Sequence, residues 1–117
     1  MKTGIKVFDA MTEQPIFLSP DDTIESCAHK MQKHHVGTII VKQKEKIVGV
    51  LSEKDIVRKV IAKKVNPLGM KIGDYMETKL VTTTPDKDIF EALIMMRDFN
   101  IRHLPVIDGS KIIGLLT

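Results

Sequence analysis

Aromatic residues are what this chain has least of: Phe, Tyr and Trp make up 4% of its 117 residues, with one Tyr and no Trp. So few flat surfaces weigh against single-stranded nucleic acid as a partner, because base stacking needs them. Cysteine is nearly as scarce. Cys27 stands alone, so no disulfide can form within this sequence, and a reducing, cytoplasmic setting is the default expectation. No stretch approaches the roughly 20 apolar residues of a membrane-spanning helix. Residues 1–6, MKTGIK, lack the apolar run of a signal peptide. Walker loops, Gly-x-Gly-x-x-Gly runs and catalytic carboxylate pairs are also missing, and their absence argues against an enzyme.

What is present is aliphatic and charged. With 43% hydrophobic and 28% charged residues the chain is expected to be globular, its core built from Leu, Ile, Val and Met. The net charge of +3 favours phosphate-bearing ligands mildly but falls short of the footprint of a dedicated nucleic-acid binder. The lysines of residues 42–46 and the cluster of Arg58, Lys59, Lys63 and Lys64 read first as solvated faces.

The strongest pattern is an internal repeat. Residues 7–52 align without a gap on 72–117, as Gly49 and Gly114 illustrate (114 − 49 = 65). Identical pairs include Asp9/Asp74, Met11/Met76, Pro20/Pro85, Ile24/Ile89, Met31/Met96, Val41/Val106, Gly49/Gly114 and Leu51/Leu116. Such a period signals a duplicated supersecondary unit. In the first copy, residues 7–11 read as a short helical turn and 15–18 as a strand. A helix capped by Asp22 follows, with Ile24, Cys27, Ala28 and Met31 on its buried stripe. Strands at 38–42 and 46–51 lead into a second helix that starts at Ser52 and buries Ile56, Val57, Val60 and Ile61. The second copy predicts a strand at 80–84, a helix at 88–100, and strands at 103–107 and 111–116 joined by the Asp108-Gly109 turn. Residues 1–65 thus form one repeat and 66–117 another, and the fold class is mixed α/β.

In their order these residues resemble a pair of CBS domains, the tandem often called a Bateman module. The resemblance rests on Asp-x-Met at 9–11 and 74–76, on Ser19-Pro20 and Thr84-Pro85, on residues 100–108 (NIRHLPVID), and on Gly49-x-x-Ser52-x-x-Asp55. It implies two β-α-β-β-α units related by a pseudo-twofold axis and packed through their small sheets, with nucleotide clefts, homodimerisation, and regulation of an enzyme or transporter. The ligand it implies is an adenosine-containing small molecule (AMP, ADP or ATP), with no cofactor required. Thr117 falls on the Ser52 position, and the aspartate and helix expected after it do not follow, so the second site is expected to be weak. A structural pairing module with empty clefts is the alternative reading.

Ribose presents two hydroxyl donors that one carboxylate can accept, which makes Asp55 the first candidate ligand residue, with Ser52 adding a hydroxyl. The same Ser-x-x-Asp spacing is also a helix-capping motif. Arg102 and His103 sit where the family tends to contact phosphate, and a solvated loop charge and a strand-start histidine are the plain alternative. Their counterparts in the first repeat are Gly37 and Thr38, which supply little charge. The resemblance further implies that adenine lies against backbone around Ile16 and Phe17, with Pro15 and Ile40 as apolar walls. His29, His34 and His35 do not form a familiar metal-ligand spacing. Cys27 lies on the apolar stripe with no base paired to it, so no catalytic residue is assigned.

Overall fold

The structure is a computed structural model that describes residues 2–117. The described residues form two three-stranded sheets, each with a helix on it. In the first, β2 (Phe17–Leu18) runs parallel to β3 (Thr38–Gln43), which pairs antiparallel with β4 (Lys46–Ser52), and α2 (Ile24–His34) packs on β3. In the second, β5 (Leu104–Asp108) and β6 (Lys111–Leu116) are antiparallel, β1 (Thr12–Glu13) lines the far edge of β6, and α4 (Ile89–Asp98) carries the buried Ala92. Strand pairs β3–β4 and β5–β6 break register at equivalent places, after Val41 and after Val106. The mixed α+β class and the tandem architecture expected from the repeat are both present.

The repeats in sequence and the compact units in space are different partitions. One unit is Ile16–Thr78; the other joins the N-terminal segment through Pro15 to Lys79–Thr117. Hydrogen bonds explain the exchange. Ile24, at the start of α2, donates its N–H to Met70, while Ile72 and Gly73 donate theirs to Asp22 and Pro20. At the equivalent positions of the other unit Ile89 donates to Ile5, Val7 to Lys87 and Phe8 to Pro85. The opening segment of each repeat therefore completes the other repeat's core, Ile72 in one and Val7 in its counterpart, both fully buried.

Glycine makes the exchange possible. Glu77 trades two backbone hydrogen bonds with Val50, and Thr12 pairs with Leu115 at the matching site. The methionine just before each pairing lies across the glycine of the adjacent strand. A Cβ on Gly49 would stand 2.7 Å from the Met76 sulfur and 2.9 Å from the Glu77 carbonyl oxygen; one on Gly114 would collide with Met11 in the same way. The two Asp-x-Met motifs and the two glycines are thus partners across the exchange.

Several local expectations are corrected. Thr23 and not Asp22 caps α2, accepting from the Ser26 N–H, while Asp22 turns back to accept from Ser19. Thr23 is the residue still in extended conformation, as a cap must be. Ala28 is exposed, so the stripe of α2 is Ile24, Cys27 and Met31. Residues 80–84 form no strand; Thr83 alone bridges to Val106. Asp88 caps α4, accepting from the Phe90 N–H, and its carboxylate also accepts from Thr3 and Gly4. That bonding, the Phe90 N–H first, holds its carboxyl below the usual range.

Replacing Gly49 with Ala should lower stability by about 1–3 kcal/mol, since the clash is partly with backbone and Met76 must leave its seat. Urea titration of Gly49→Ala and Gly114→Ala measures this. Wild-type midpoints for both variants would show that the methionines are not seated on these glycines.

Candidate functional site

The end of the β2–β3–β4 sheet gathers most of the residues expected to hold a ligand. Thr38 opens β3 directly opposite Ser52 at the close of β4, and Phe17 stands beside Ile40, whose N–H donates to the Ile16 carbonyl at 2.9 Å. The Glu53 N–H reaches back to the Gly37 carbonyl at 2.9 Å, and the Glu53 side chain occupies the space a side chain at 37 would need. Phe17 is exposed and Ile16 half-buried. Ile40 is fully buried in this arrangement and presents no surface.

At Ser52 the strand becomes a helix, α3 (Glu53–Asp55), which continues as a wider π-wound stretch, Ile56–Ile61. Ser52 keeps extended backbone angles, and its hydroxyl accepts the Asp55 N–H at 3.2 Å. In return Asp55 Oδ2 accepts from the Ser52 N–H at 3.0 Å and from its hydroxyl at 3.1 Å. Both arms of a capping box are therefore formed. The other oxygen, Oδ1, faces the Lys59 ammonium at 3.5 Å. A carboxylate offers about four acceptor positions. Oδ2 is filled by Ser52, so Oδ1 is the atom with room for a further hydroxyl.

The helix buries a narrower edge than its sequence pattern suggests. Val60 is buried and Ile56 packs on the core, while Val57 and Ile61 are more than half exposed. Each lies one residue further round the helix than its buried neighbour, and only the Ile56–Val60 edge meets the sheet.

The remaining predicted positions belong to the other compact unit. Arg102 is exposed, His103 is half-buried just ahead of the fully buried Leu104, and Thr117 is exposed beyond β6. Pro15 is half-buried in the segment that ends that unit's N-terminal portion.

Contacts of two lysines in this unit were not anticipated from sequence. Lys42 places its ammonium 4.6 Å from the centre of the Phe17 ring, a cation–π contact that only the parallel pairing of β2 with β3 creates. Lys59 was legible in principle, because it stands four residues after Asp55 on one helix. Among the described residues no group of three or more His, Cys, Asp and Glu could hold a metal ion; His29 pairs with Glu25 on the surface of α2. No helix among them is long and apolar enough to cross a membrane.

Comparison with known proteins follows the same lines. The family model described as CBS domain matches residues 7–62 and again 72–117. A mitochondrial CBS domain-containing protein of Arabidopsis thaliana, CBSX3, is 33% identical over 107 residues, covering 87% of this chain and 52% of that protein. A protein of Methanopyrus kandleri, MK0525, is 36% identical over 97% of this chain and 59% of its own length. The chain thus spans a little over half the length of these two relatives. Among solved structures, a signal-transduction protein with CBS domains from Burkholderia ambifaria superposes with a TM-score of 0.85 at 24% identity, covering 97% of this chain and 88% of that one. The CBS domain pair of protein MJ0100, solved with 5′-methylthioadenosine and S-adenosyl-L-methionine, gives 0.82 at 24% identity, with 97% and 89% covered.

Burial, aided by the charge of Asp22, pushes the Cys27 thiol up to about 11, which excludes it as a ready nucleophile. Below pH 9 its thiolate population is about 100-fold smaller than that of an unperturbed thiol. Iodoacetamide should therefore label native protein at least that much more slowly than urea-unfolded protein at pH 8. Comparable rates would place Cys27 at the surface.

Proposed function

Because the chain belongs to the CBS-domain family and carries two such domains in tandem, we propose that it is a regulatory module that senses an adenine nucleotide. The observation that carries this reading is the convergence at one sheet end. Seven of the eleven positions singled out in the sequence (Ile16, Phe17, Gly37, Thr38, Ile40, Ser52 and Asp55) fall within the Ile16–Thr78 unit around the Ser52 helix start. Asp55 Oδ1 accepts one ribose hydroxyl, and the second replaces the Ser52 hydroxyl at Oδ2. The positive end of the helix dipole at Ser52 favours an anion nearby. Arg102 and His103 are the proposed phosphate contacts. The adenosyl ligands of the MJ0100 pair support the ligand class.

Regulation on this reading is linkage: the ligand shifts a conformational balance by its difference in affinity for the two states and by nothing else. The regulated partner is an enzyme or transporter in the cytoplasm, the module acts as a homodimer, and it performs no catalysis. A second reading, a pairing module with empty clefts, is favoured by the exposed apolar side chains of Val57, Ile61, Leu93 and Phe99.

Thermal melts with AMP, ATP and S-adenosylmethionine separate the two. A nucleotide at 100 times its dissociation constant should stabilise the fold by about 2.7 kcal/mol. Asp55→Asn should abolish the shift while keeping an acceptor for the Ser52 N–H; truncation to Ala would also remove a cap worth about 1 kcal/mol. A midpoint indifferent to all three compounds, together with concentration-dependent dimerisation, establishes the pairing module instead.

A further inference from the structure

Lys59 has two partners. Its ammonium lies 3.5 Å from Asp55 Oδ1 and donates to the Tyr75 carbonyl at 3.2 Å. Asp55 is the residue to which ribose is assigned. Tyr75 closes the short 3-10 turn Ile72–Asp74 in the opening segment of the second repeat, and its own N–H is held by the Ile72 carbonyl. Immediately after it come Met76, seated on Gly49, and Glu77, paired with Val50. Those two positions of β4 lie just ahead of Ser52. The contacts therefore form a closed circuit: Asp55 to Lys59, Lys59 to the Ile72–Asp74 turn, the turn to β4, and β4 back to the capping box.

The helical winding agrees with a demand placed on this stretch. Lys59 falls within the π-wound residues Ile56–Ile61, where Ala62 donates to the Val57 carbonyl at 2.7 Å and, one turn on, Val65 donates to Val60 at 2.9 Å. π-winding is uncommon and frequently occurs at functional sites. Lys59 is also tied at both ends where its neighbours Arg58 and Lys63 are exposed.

We propose that Lys59 is a positioning residue that presents Asp55 Oδ1 and couples the state of that carboxylate to the Ile72–Asp74 turn at the opening of the second repeat. Any group that takes Oδ1 as its acceptor competes with Lys59 and loosens or redirects its hold on the Tyr75 carbonyl. The opening segment of the second repeat, in this view, reports occupancy. The bridge itself stands on the contacts above, whereas its use by a nucleotide rests on the function proposed in the preceding subsection.

Amide exchange of the full chain, followed residue by residue by NMR, tests the bridge without ligand. In Lys59→Met and in Asp55→Asn the amides of Tyr75, Met76 and Glu77 should exchange about threefold faster, the scale of a partly exposed ion pair, with Cys27 and Met31 in α2 unchanged. Lys59→Arg, which keeps a cation able to reach both partners, should restore wild-type rates. A response to Lys59→Met but not to Asp55→Asn would show that Lys59 merely props the turn, and the coupling falls. Unchanged rates in both variants overturn the bridge altogether. Saturating AMP should then alter the same amides in wild-type protein but not in Lys59→Met. Failure of AMP to bind wild-type protein would overturn the nucleotide reading, while the ligand-free comparison still decides the bridge.

Discussion

The seating of a methionine on a strand glycine, made twice, is the contact on which the rest of this molecule depends. Met76 over Gly49 and Met11 over Gly114 bring the opening segment of each repeat onto the sheet of the other. Once that happens, Glu77 can pair with Val50 and Thr12 with Leu115, and Ile72 and Val7 can enter the two cores. A thioether suits this task because it is flexible and polarizable enough to lie flat on bare backbone. Any side chain in place of the glycine would hold the segment off and leave two backbone pairings open.

The same contact sets up the end of the sheet to which the ligand is assigned. Residues 49 and 50 are fixed by the crossing segment, and Ser52 follows within the same strand. Its backbone is therefore held extended where the helix must begin. The capping box then locks Asp55 against Ser52, so the carboxylate proposed to hold ribose is oriented before any ligand arrives. Pre-orientation of this sort reduces the entropy lost on binding. The capping and ligand-binding readings of Ser-x-x-Asp, which the sequence left open, are compatible: one carboxylate oxygen serves the helix and the other faces outward to Lys59.

Much of this was legible beforehand. The 65-residue period located the main strands of both sheets, and the Ser52 cap announced itself through residue type and spacing. What stayed hidden was relational. A repeat shows that two units are alike but not which segment completes which core, because the apolar residues of 5–13 and 70–77 would suit either. Residues 80–84 carry strand-forming threonine and valine, yet only Thr83 finds a backbone partner, and propensity alone does not reveal the missing neighbour. Val57 and Ile61 matched a helical stripe, though the buried edge is narrower than the pattern. The partners of Asp55 and Phe17 divide along the same line. Lys59 follows from helical spacing, whereas Lys42 needed the parallel strand pairing.

The exchange of segments also gives the two units different folding problems. In the Ile16–Thr78 unit the loop closed between Val50 and Glu77 is short (77 − 50 = 27 residues), and every residue of the unit is contiguous in the chain. The other unit must join Glu13 to Gly114 (114 − 13 = 101 residues), nearly the whole chain. Loop-closure entropy grows by about 0.6 kcal/mol per doubling, so this difference alone is of order 1 kcal/mol. On a ribosome the contrast is sharper, because β1 has no strand to pair with until β6 has been made. The unit that carries Ser52 and Asp55 can form while its counterpart is still being synthesised, and the first residues of the chain are among the last to find their place.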